Sequence, residues 1–506
     1  MNQLKAGAIL NYTVIILNLL VALLYTPYML RVMGQNEFGL YSLVASIIAY
    51  LTVLDLGIGN AIVRYTAKFR SEGKFQEQYE MFGMFLFLYT ILGLLSTVIG
   101  IGVYYGADSI FMDSMTFEEI DKAEIMILIL VLNLAFTFPM SIFGSIITAY
   151  ERFVFPRVVN ILRIILNTIV MIVLLRMGYR AITMVVVQTI FNVLSLLINY
   201  YYCKRFLGIK VYFKKFNLSL LKEVGIYSFW ILLDVIMNQL YWNTGQFVLG
   251  SLIGTAAVAV FAIAIQLERM YMQFSTAIAS VFLPKVTSMV TRNDNIKQIS
   301  NLFIRTGRVQ NIVMSTGLFF FIIFGRQFII LWAGPSYIDA YYMTLFFFLA
   351  LYVPLIQNLG ITILQARNQM KFRGVLFIVI SIISLFFQVI LAKIWGGIGC
   401  SIAISAALII GQGVIMNIYY NKKQHIDIIL FWKEIMNMNL APILVSGLYL
   451  LLLRQVSLNI TWESLFLSSL IFIVIYVPIY FKFSLNDYER NLLLEPLKKQ
   501  LKNDSN

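Results

Sequence analysis

The stretch MFGMFLFLYTILGLLSTVIGIGVYYG, residues 81–106, runs 26 residues without a charged side chain. About 20 apolar residues of helix cross a hydrocarbon core, so this segment reads as a transmembrane helix. The loop that follows is acidic, with Asp108, Asp113, Glu118, Glu119 and Asp121. Outward from it, comparable apolar stretches fill the chain almost end to end. Fourteen spans are expected, near 7–30, 40–63, 79–105, 123–148, 155–175, 181–202, 225–250, 255–283, 302–325, 340–364, 374–394, 397–420, 435–453 and 461–481. The composition agrees: the 506 residues are 60% hydrophobic and 12% charged. Soluble chains carry about 45–50% apolar and about 25% charged residues.

Lys and Arg alternate from loop to loop. Of the 38, 29 fall in segments expected on the cytoplasmic side and 7 in loops expected outside, while Arg163 and Arg269 lie within spans. This is the positive-inside pattern, and it predicts cytoplasmic termini in a bacterial inner (plasma) membrane protein. The densest cluster is Lys204, Arg205, Lys210, Lys214, Lys215 and Lys222. The net charge of +14 is therefore an orientation signal and predicts no nucleic-acid partner. Cys203 and Cys400 are too few for a disulfide scaffold or a thiolate metal site. His425 stands alone on a loop, where a solvated side chain competes with a metal role. No P-loop is present, and no cofactor is expected. Span 1 reads as a retained anchor without a cleavage site. Residues 484–506 form a basic, polar cytoplasmic tail, read as a short amphipathic helix that frays.

A faint internal echo runs through the chain. Asn18 and Gly34 match Asn238 and Gly254 at a shift of 220, and Ala149 and Phe155 match Ala366 and Phe372 at 217. Two parallel six-span copies are expected, an N-lobe (1–205) and a C-lobe (206–421), followed by spans 13–14 (422–483) and the tail. The fold class is all-α, with two six-helix lobes related by a pseudo-two-fold axis along the membrane normal plus two extra C-terminal helices. Transporters built from such repeats hold substrate between the halves.

Polar groups in hydrocarbon are expensive and turn toward protein or water. Span 1 puts Asn11, Asn18 and Tyr25 on one face. Span 7 carries Asp234, Asn238, Tyr241 and Gly245 on one stripe, flanked by Gln239, Asn243 and Gln246. Span 8 has Gln266, Arg269 and Gln273 at i, i+3 and i+7, beside Glu268. A hydrophilic cavity lined by Arg269, Asn18, Asn238, Gln239, Asn243, Gln266 and Gln273 is expected, against the plainer alternative of interhelical hydrogen bonding. Arg269 has the alternative of an ion pair with Asp234 or Glu268. Arg163 joins the cavity list, or snorkels to the cytoplasmic face. Asp55, Asp234 and Glu268 are candidates for coupling to H+ or Na+, and Asp55 has Arg64 as an alternative partner. Gly57-Ile58-Gly59 reads as a tight helix contact or bend rather than a dinucleotide fingerprint. Pro139 and Pro354, inside spans 4 and 10, are expected to kink them.

Three local patterns carry a resemblance: Gly34-Gln35-Asn36-Glu37-Phe38-Gly39-Leu40-Tyr41, then Asp55-Leu56-Gly57-Ile58-Gly59-Asn60 with Arg64, then Ala149-Tyr150-Glu151-Arg152. With the span layout they resemble the bacterial O-antigen and capsule repeat-unit flippases, the Wzx-type polysaccharide branch of the multidrug/oligosaccharidyl-lipid/polysaccharide superfamily. The resemblance implies transport rather than catalysis. It implies a polyprenyl-diphosphate-linked oligosaccharide as substrate, carried to the outer leaflet by alternating access through a cationic cavity within membrane lipid. A role in O-antigen or lipopolysaccharide assembly, with a polysaccharide polymerase as a candidate partner, goes with it. Span 1 departs from a strongly cationic cavity, showing Asn11 and Asn18 rather than Arg. The alternatives are a cation-coupled multidrug antiporter of the same superfamily, a peptidoglycan-precursor flippase, and, from another class, a membrane-embedded glycan polymerase or glycosyltransferase.

Overall fold

The computed structural model describes residues 3–213, 216, 218–291, 296–367, 369–456, 459–492 and 494–495. They form helices and turns with no strand among them. The chain packs as two compact units, residues 1–262 with 392–397 and residues 263–391 with 398–506.

Unit 1 contains α1 (Gln3–Met33), α2 (Gln35–Leu51), α3 (Ile58–Ser71), α4 (Phe75–Phe111), α5 (Phe117–Ala149), α6 (Val154–Arg176), α7 (Ala181–Arg205), α8 (Leu218–Trp242) and α9 (Thr244–Leu252), together with the start of α10 (Thr255–Thr291). Lipid gives no hydrophobic force between helices, so close approach of small residues matters more. Gly93 and Gly100, seven apart on α4, face Ala135 and Val131 of α5; a Cβ added at Gly93 would lie 3.0 Å from the Ala135 carbonyl oxygen. Outward, Leu94, Val98 and Leu132 stay exposed, as the lipid-facing side of a membrane helix should.

Two of the three sequence patterns, and the acidic loop, become clasps in unit 1. Gly34 adopts φ 83° ahead of α2. Glu37 pairs with Lys122 at 2.6 Å and accepts from the Ala181 backbone N–H at 3.2 Å, closing the first turn of α7. A Cβ on Gly39 would sit 1.8 Å from the Thr255 carbonyl oxygen, so α2 and the start of α10 touch backbone to backbone. The acidic loop folds into a capping box, Thr116 with Glu119, and Glu119 also accepts from the Thr255 hydroxyl at 2.7 Å. At the other end of α5, Glu151 takes φ 59°. There the Arg70 guanidinium lies 4.1 Å from the Tyr150 ring centroid and donates to the Ala149 carbonyl at 3.3 Å.

Unit 2 holds the rest of α10, then α11 (Ile296–Trp332), α12 (Asp339–Ile356), α13 (Leu359–Ala366), α14 (Lys371–Leu408), α15 (Met416–Lys422), α16 (Ile428–Gln455) and α17 (Trp462–Phe483). An aromatic core of Phe324, Tyr449, Phe472, Tyr476 and Tyr480 ties α16 and α17 to α11. Below it, buried Arg308 donates to Glu489 at 2.6 and 3.0 Å and to Glu434 at 2.8 Å. The tail therefore begins as an anchored short helix over 487–492, with Glu489 only 1% exposed, and the end expected to fray lies outside the described residues.

Twelve helices among the described residues are long and apolar enough to cross a membrane, against fourteen expected. The difference has two local sources. Lys371–Lys422 counts once but folds back on itself at Gly396, φ 59°. The Ser384 hydroxyl reaches the Ala403 carbonyl at 3.5 Å, and the Cys400 thiol reaches the Gln388 carbonyl at 3.8 Å, contacts that only a hairpin allows. The stretch covering α8 and α9 is interrupted at Asn243 and is not among the twelve.

Element bounds recur through the chain. α2 to α3 (35–71) and α10 (255–291) have the same length at an offset of 220, and α4 (75–111) and α11 (296–332) at 221. The ends of α5 and α13 (149, 366), the starts of α6 and α14 (154, 371) and the ends of α7 and α15 (205, 422) all differ by 217.

Two predictions follow from the packing. Gly39→Val should destabilise the protein by about 1–3 kcal/mol or prevent folding, while Gly102→Ala, whose Cβ meets nothing within 4 Å, should leave thermal unfolding in detergent unchanged or slightly improved. Arg308→Ala should lower stability by about 3–5 kcal/mol, because it leaves the Glu489 charge buried without its partner; the same unfolding measurement checks it.

Candidate transport site

The helices break where the sequence is polar. α2 ends at Leu51, a single 3-10 turn covers Thr52–Asp55, and Leu56 (φ 54°) and Gly57 (φ 67°) are both left-handed before α3 begins. Left-handed conformation is unfavourable for a residue with a Cβ, so Leu56 is held there by its surroundings. Breaking a helix at membrane depth frees carbonyls that lipid cannot satisfy. Side chains take them up. The Ala49 carbonyl accepts from the Thr52 hydroxyl at 2.7 Å and from the Gln239 amide at 2.8 Å. Asn243, in the interruption between α8 and α9, donates to the Gln239 side-chain carbonyl. Next to it the Tyr50 and Thr244 hydroxyls bond each other. Two helix breaks thus share one polar node, built from Gln239 and Asn243 of span 7 and the end of α2.

Asp55 lies at the same break. Its carboxylate accepts from the Tyr89 hydroxyl and from the Gly57 backbone, and Tyr89 in turn bonds Ser141. A Cβ on Gly59 would lie 3.1 Å from the Ser145 hydroxyl. Gly57-Ile58-Gly59 is therefore both the bend and the tight contact that its sequence suggests.

Arg163 belongs to a separate node in unit 1. It donates to Asn160 at 3.0 Å and to Asn192 at 3.5 Å. Asn192 donates to Asn133 and Thr137, both at 2.8 Å. This half-buried cluster spans α5, α6 and α7 and contains none of the other predicted cavity residues. Asn18 and Asn238 are exposed on α1 and α8. The side chain of Asp234 lies outside the described residues.

In unit 2, Gln266 is half-buried while Arg269 and Gln273 are exposed, forming one accessible stripe on α10. Glu268 points the other way, is fully buried, and neither carboxylate oxygen has a hydrogen-bond partner. The alternative of a hydrogen-bonded Arg269–Glu268 pair is thus not formed. The break in this unit falls at Gln357–Asn358, just after Pro354, between α12 and α13. By contrast α5 runs through Pro139 without interruption. The carbonyls freed at the end of α12 are again capped. Ser275 donates to Leu355 at 2.8 Å, and the Gln310 amide, oriented to satisfy both its ends, reaches Ile356 at 2.9 Å and Leu355 at 3.0 Å. Gln357 exchanges hydrogen bonds with Asn417, which also accepts from the Trp432 indole at 2.9 Å. At the recurring offsets, Ser275, Gln310 and Asn358 stand where Asp55, Tyr89 and Ser141 stand in unit 1.

Sequence reasoning missed several polar groups. Arg373, 8% exposed, lies 4.6 Å from the Phe377 ring centroid. With Gln357 and Gln412 it lines a niche of about 10 Å³, room for roughly one water. A π-helical segment, Ile409–Ile415, carries Gln412. The loop-like composition around Arg373 (Gln369 to Gly374) hid its burial. Among the described residues no group of three His, Cys, Asp or Glu side chains is placed to hold a metal.

These features define an all-α, multi-pass membrane protein with discontinuous helices. Solved structures share the fold. The lipid II flippase MurJ, in an inward closed conformation, superposes with a TM-score of 0.71 at 17% identity, covering 97% of this chain and 99% of that one. An inward-facing multidrug resistance transporter of the MATE family gives 0.62 at 15% identity, covering 82% and 99%. A MOP superfamily transporter from Pyrococcus furiosus, whose reported pocket has reversed polarity, gives 0.56 at 15%, covering 83% and 95%. By sequence, the uncharacterized membrane protein EpsK of Bacillus subtilis is 19% identical over 331 residues, and the match spans 65% of each chain. Residues 4–290 match the family described as polysaccharide biosynthesis protein, and the chain belongs to that family. The resemblance carried by its three short patterns agrees with that membership.

Breaking the unit 1 node should be detectable directly. Gln239→Leu removes the donor to the Ala49 carbonyl and breaks the Asn243–Gln239 hydrogen bond, so stability should fall by about 1–3 kcal/mol. Asn18→Leu, which breaks no hydrogen bond described here, should not change it; unfolding in detergent compares the two.

Proposed function

We propose that this protein is a flippase that carries polyprenyl-diphosphate-linked oligosaccharide repeat units from the cytoplasmic to the outer leaflet by alternating access. It would do so in a bacterial inner (plasma) membrane with both termini cytoplasmic, serving O-antigen or related lipopolysaccharide or capsule assembly beside a polysaccharide polymerase. The observation that carries the reading is membership of the polysaccharide biosynthesis protein family in a chain whose polar groups gather at helix breaks in apolar spans. In this proposal Arg269 meets the diphosphate, while Gln266, Gln273, Asn18, Asn238, Gln239 and Asn243 meet sugar hydroxyls. Arg163, tied into its own asparagine cluster, contributes charge from a second position. A membrane potential adds about 2.3 kcal/mol per charge per 100 mV. With the inside negative, outward movement of a diphosphate runs downhill. Asp55, Asp234 and Glu268 are the carboxylates available for coupling to H+ or Na+.

Two expected outcomes test this. Deleting the gene should cause build-up of polyprenyl-linked repeat units on the inner leaflet, read by lipid extraction and mass spectrometry. Arg269→Ala, at matched expression, should cut translocation by about tenfold or more, the loss expected of a charge-assisted contact near 1.5 kcal/mol. A second reading, a cation-coupled multidrug antiporter, draws on Asp55 and Glu268 and on the fold shared with multidrug transporters. Normal surface glycan with altered drug sensitivity in the deletion strain would favour it.

A further inference from the structure

Glu268 is the one carboxyl group named so far that is both fully buried and without a hydrogen bond. Its neighbours on the same face of α10 are fixed. The Tyr271 hydroxyl donates to the Met314 carbonyl of α11 at 2.8 Å, and its ring stacks on Phe348 of α12 at 4.1 Å. Ser275 bonds Leu355. Residue 271 therefore faces 348 and 275 faces 355, so α10 and α12 run in the same direction here. One turn back, this register sets Glu268 alongside Thr344. Thr344 is also fully buried, and its hydroxyl also lacks a partner.

Among the described residues of α10, α11 and α12, the other titratable groups are placed as follows. On α10, Arg269 is exposed about 100° further round the helix, hydrogen-bonds neither Glu268 oxygen, and acts on it only through its charge. On α12, the Tyr341 hydroxyl is used by the Ile322 carbonyl at 3.1 Å, and Tyr352 bonds Asn311 and Asn439. Tyr342 is exposed and Asp339 begins the helix. On α11, no titratable side chain stands between Arg308 and Arg326.

The internal repeat shows that packing does not require this pair. At the recurring offsets of 220 and 217, the positions of Glu268 and Thr344 are Ile48 and Ile127, 7% and 0% exposed. The same helix faces are filled by hydrocarbon in one copy and by a carboxyl and a hydroxyl in the other. An ionised carboxylate without a partner carries a penalty of several kcal/mol in such a setting. A neutral acid carries far less.

We propose that Glu268 is a proton-carrying site of the transport cycle, with Thr344 as the other buried, unpartnered polar side chain that the register brings to its level. In the buried state the acid keeps its O–H bond. When this face of α10 meets water, that bond breaks, the proton passes to water as hydronium, and the carboxylate stays solvated until it is reprotonated from the other side. Two carboxylate oxygens and one hydroxyl are too few for a hard metal cation, which takes about six oxygen ligands. The inference rests on the transporter reading and names its coupling ion.

Infrared spectroscopy of the purified protein at neutral pH tests the state of the group without any cargo. A protonated-carboxyl C=O stretch is expected that Glu268→Gln removes and Glu268→Asp retains. Glu268→Ile, copying the other half of the chain, checks that loss of the group leaves the fold intact. In proteoliposomes holding a polyprenyl-diphosphate oligosaccharide, one pH unit should shift the lipid's distribution between leaflets by up to about tenfold per proton moved. Glu268→Gln should abolish the shift and Glu268→Asp restore part of it. A band unaffected by Glu268→Gln, or a shift that persists in it, overturns the proposal. Lipid movement indifferent to the gradient overturns it while leaving the flippase reading in place. Proton flux that a trapped dye reports, lost in Glu268→Gln but without lipid movement, supports Glu268 and overturns the flippase cargo instead.

Discussion

In hydrocarbon, a backbone carbonyl that leaves a helix must find a donor inside the protein, and this constraint governs both units. Each contains a helix broken at membrane depth, at 52–57 in one and at 357–358 in the other. In each, a glutamine from a neighbouring helix reaches the exposed carbonyls: Gln239 to Ala49, and Gln310 to Leu355 and Ile356. Without such donors, the breaks would close into continuous helix or the local fold would fail. With them, the unwound segments persist within apolar spans.

The capping groups divide the polar residues by role. Gln239 and Asn243 are committed to hydrogen bonds within unit 1, and Arg163 to its asparagine cluster. Arg269 and Gln273 remain accessible on α10, as Asn18 and Asn238 do on α1 and α8. Glu268 fits neither role, since it is buried yet supports no hydrogen bond.

The short patterns that carried the family resemblance are largely structural. Glu37, Gly39 and Tyr150 form clasps at helix ends, each explained by a pairing, a close approach or a ring contact. Asp55 is different: it sits at the unwound turn and its carboxylate is satisfied by Tyr89.

The membrane class, the helical fold and the approximate spans were legible in the chain alone, because the length and charge of an apolar run determine whether it crosses a bilayer. The repeat was also visible, as sparse identities at 217 and 220 that the element bounds later matched. The break at Gly396 was legible too, between the expected spans 374–394 and 397–420, but the anchoring of Glu489 by Arg308 and the burial of Arg373 were not. Each depends on which helix lies beside another, and a hydropathy profile holds no such information. Periodicity placed Gln266, Arg269 and Gln273 on one stripe, but only packing decided that Glu268, one residue away, would be sealed from water.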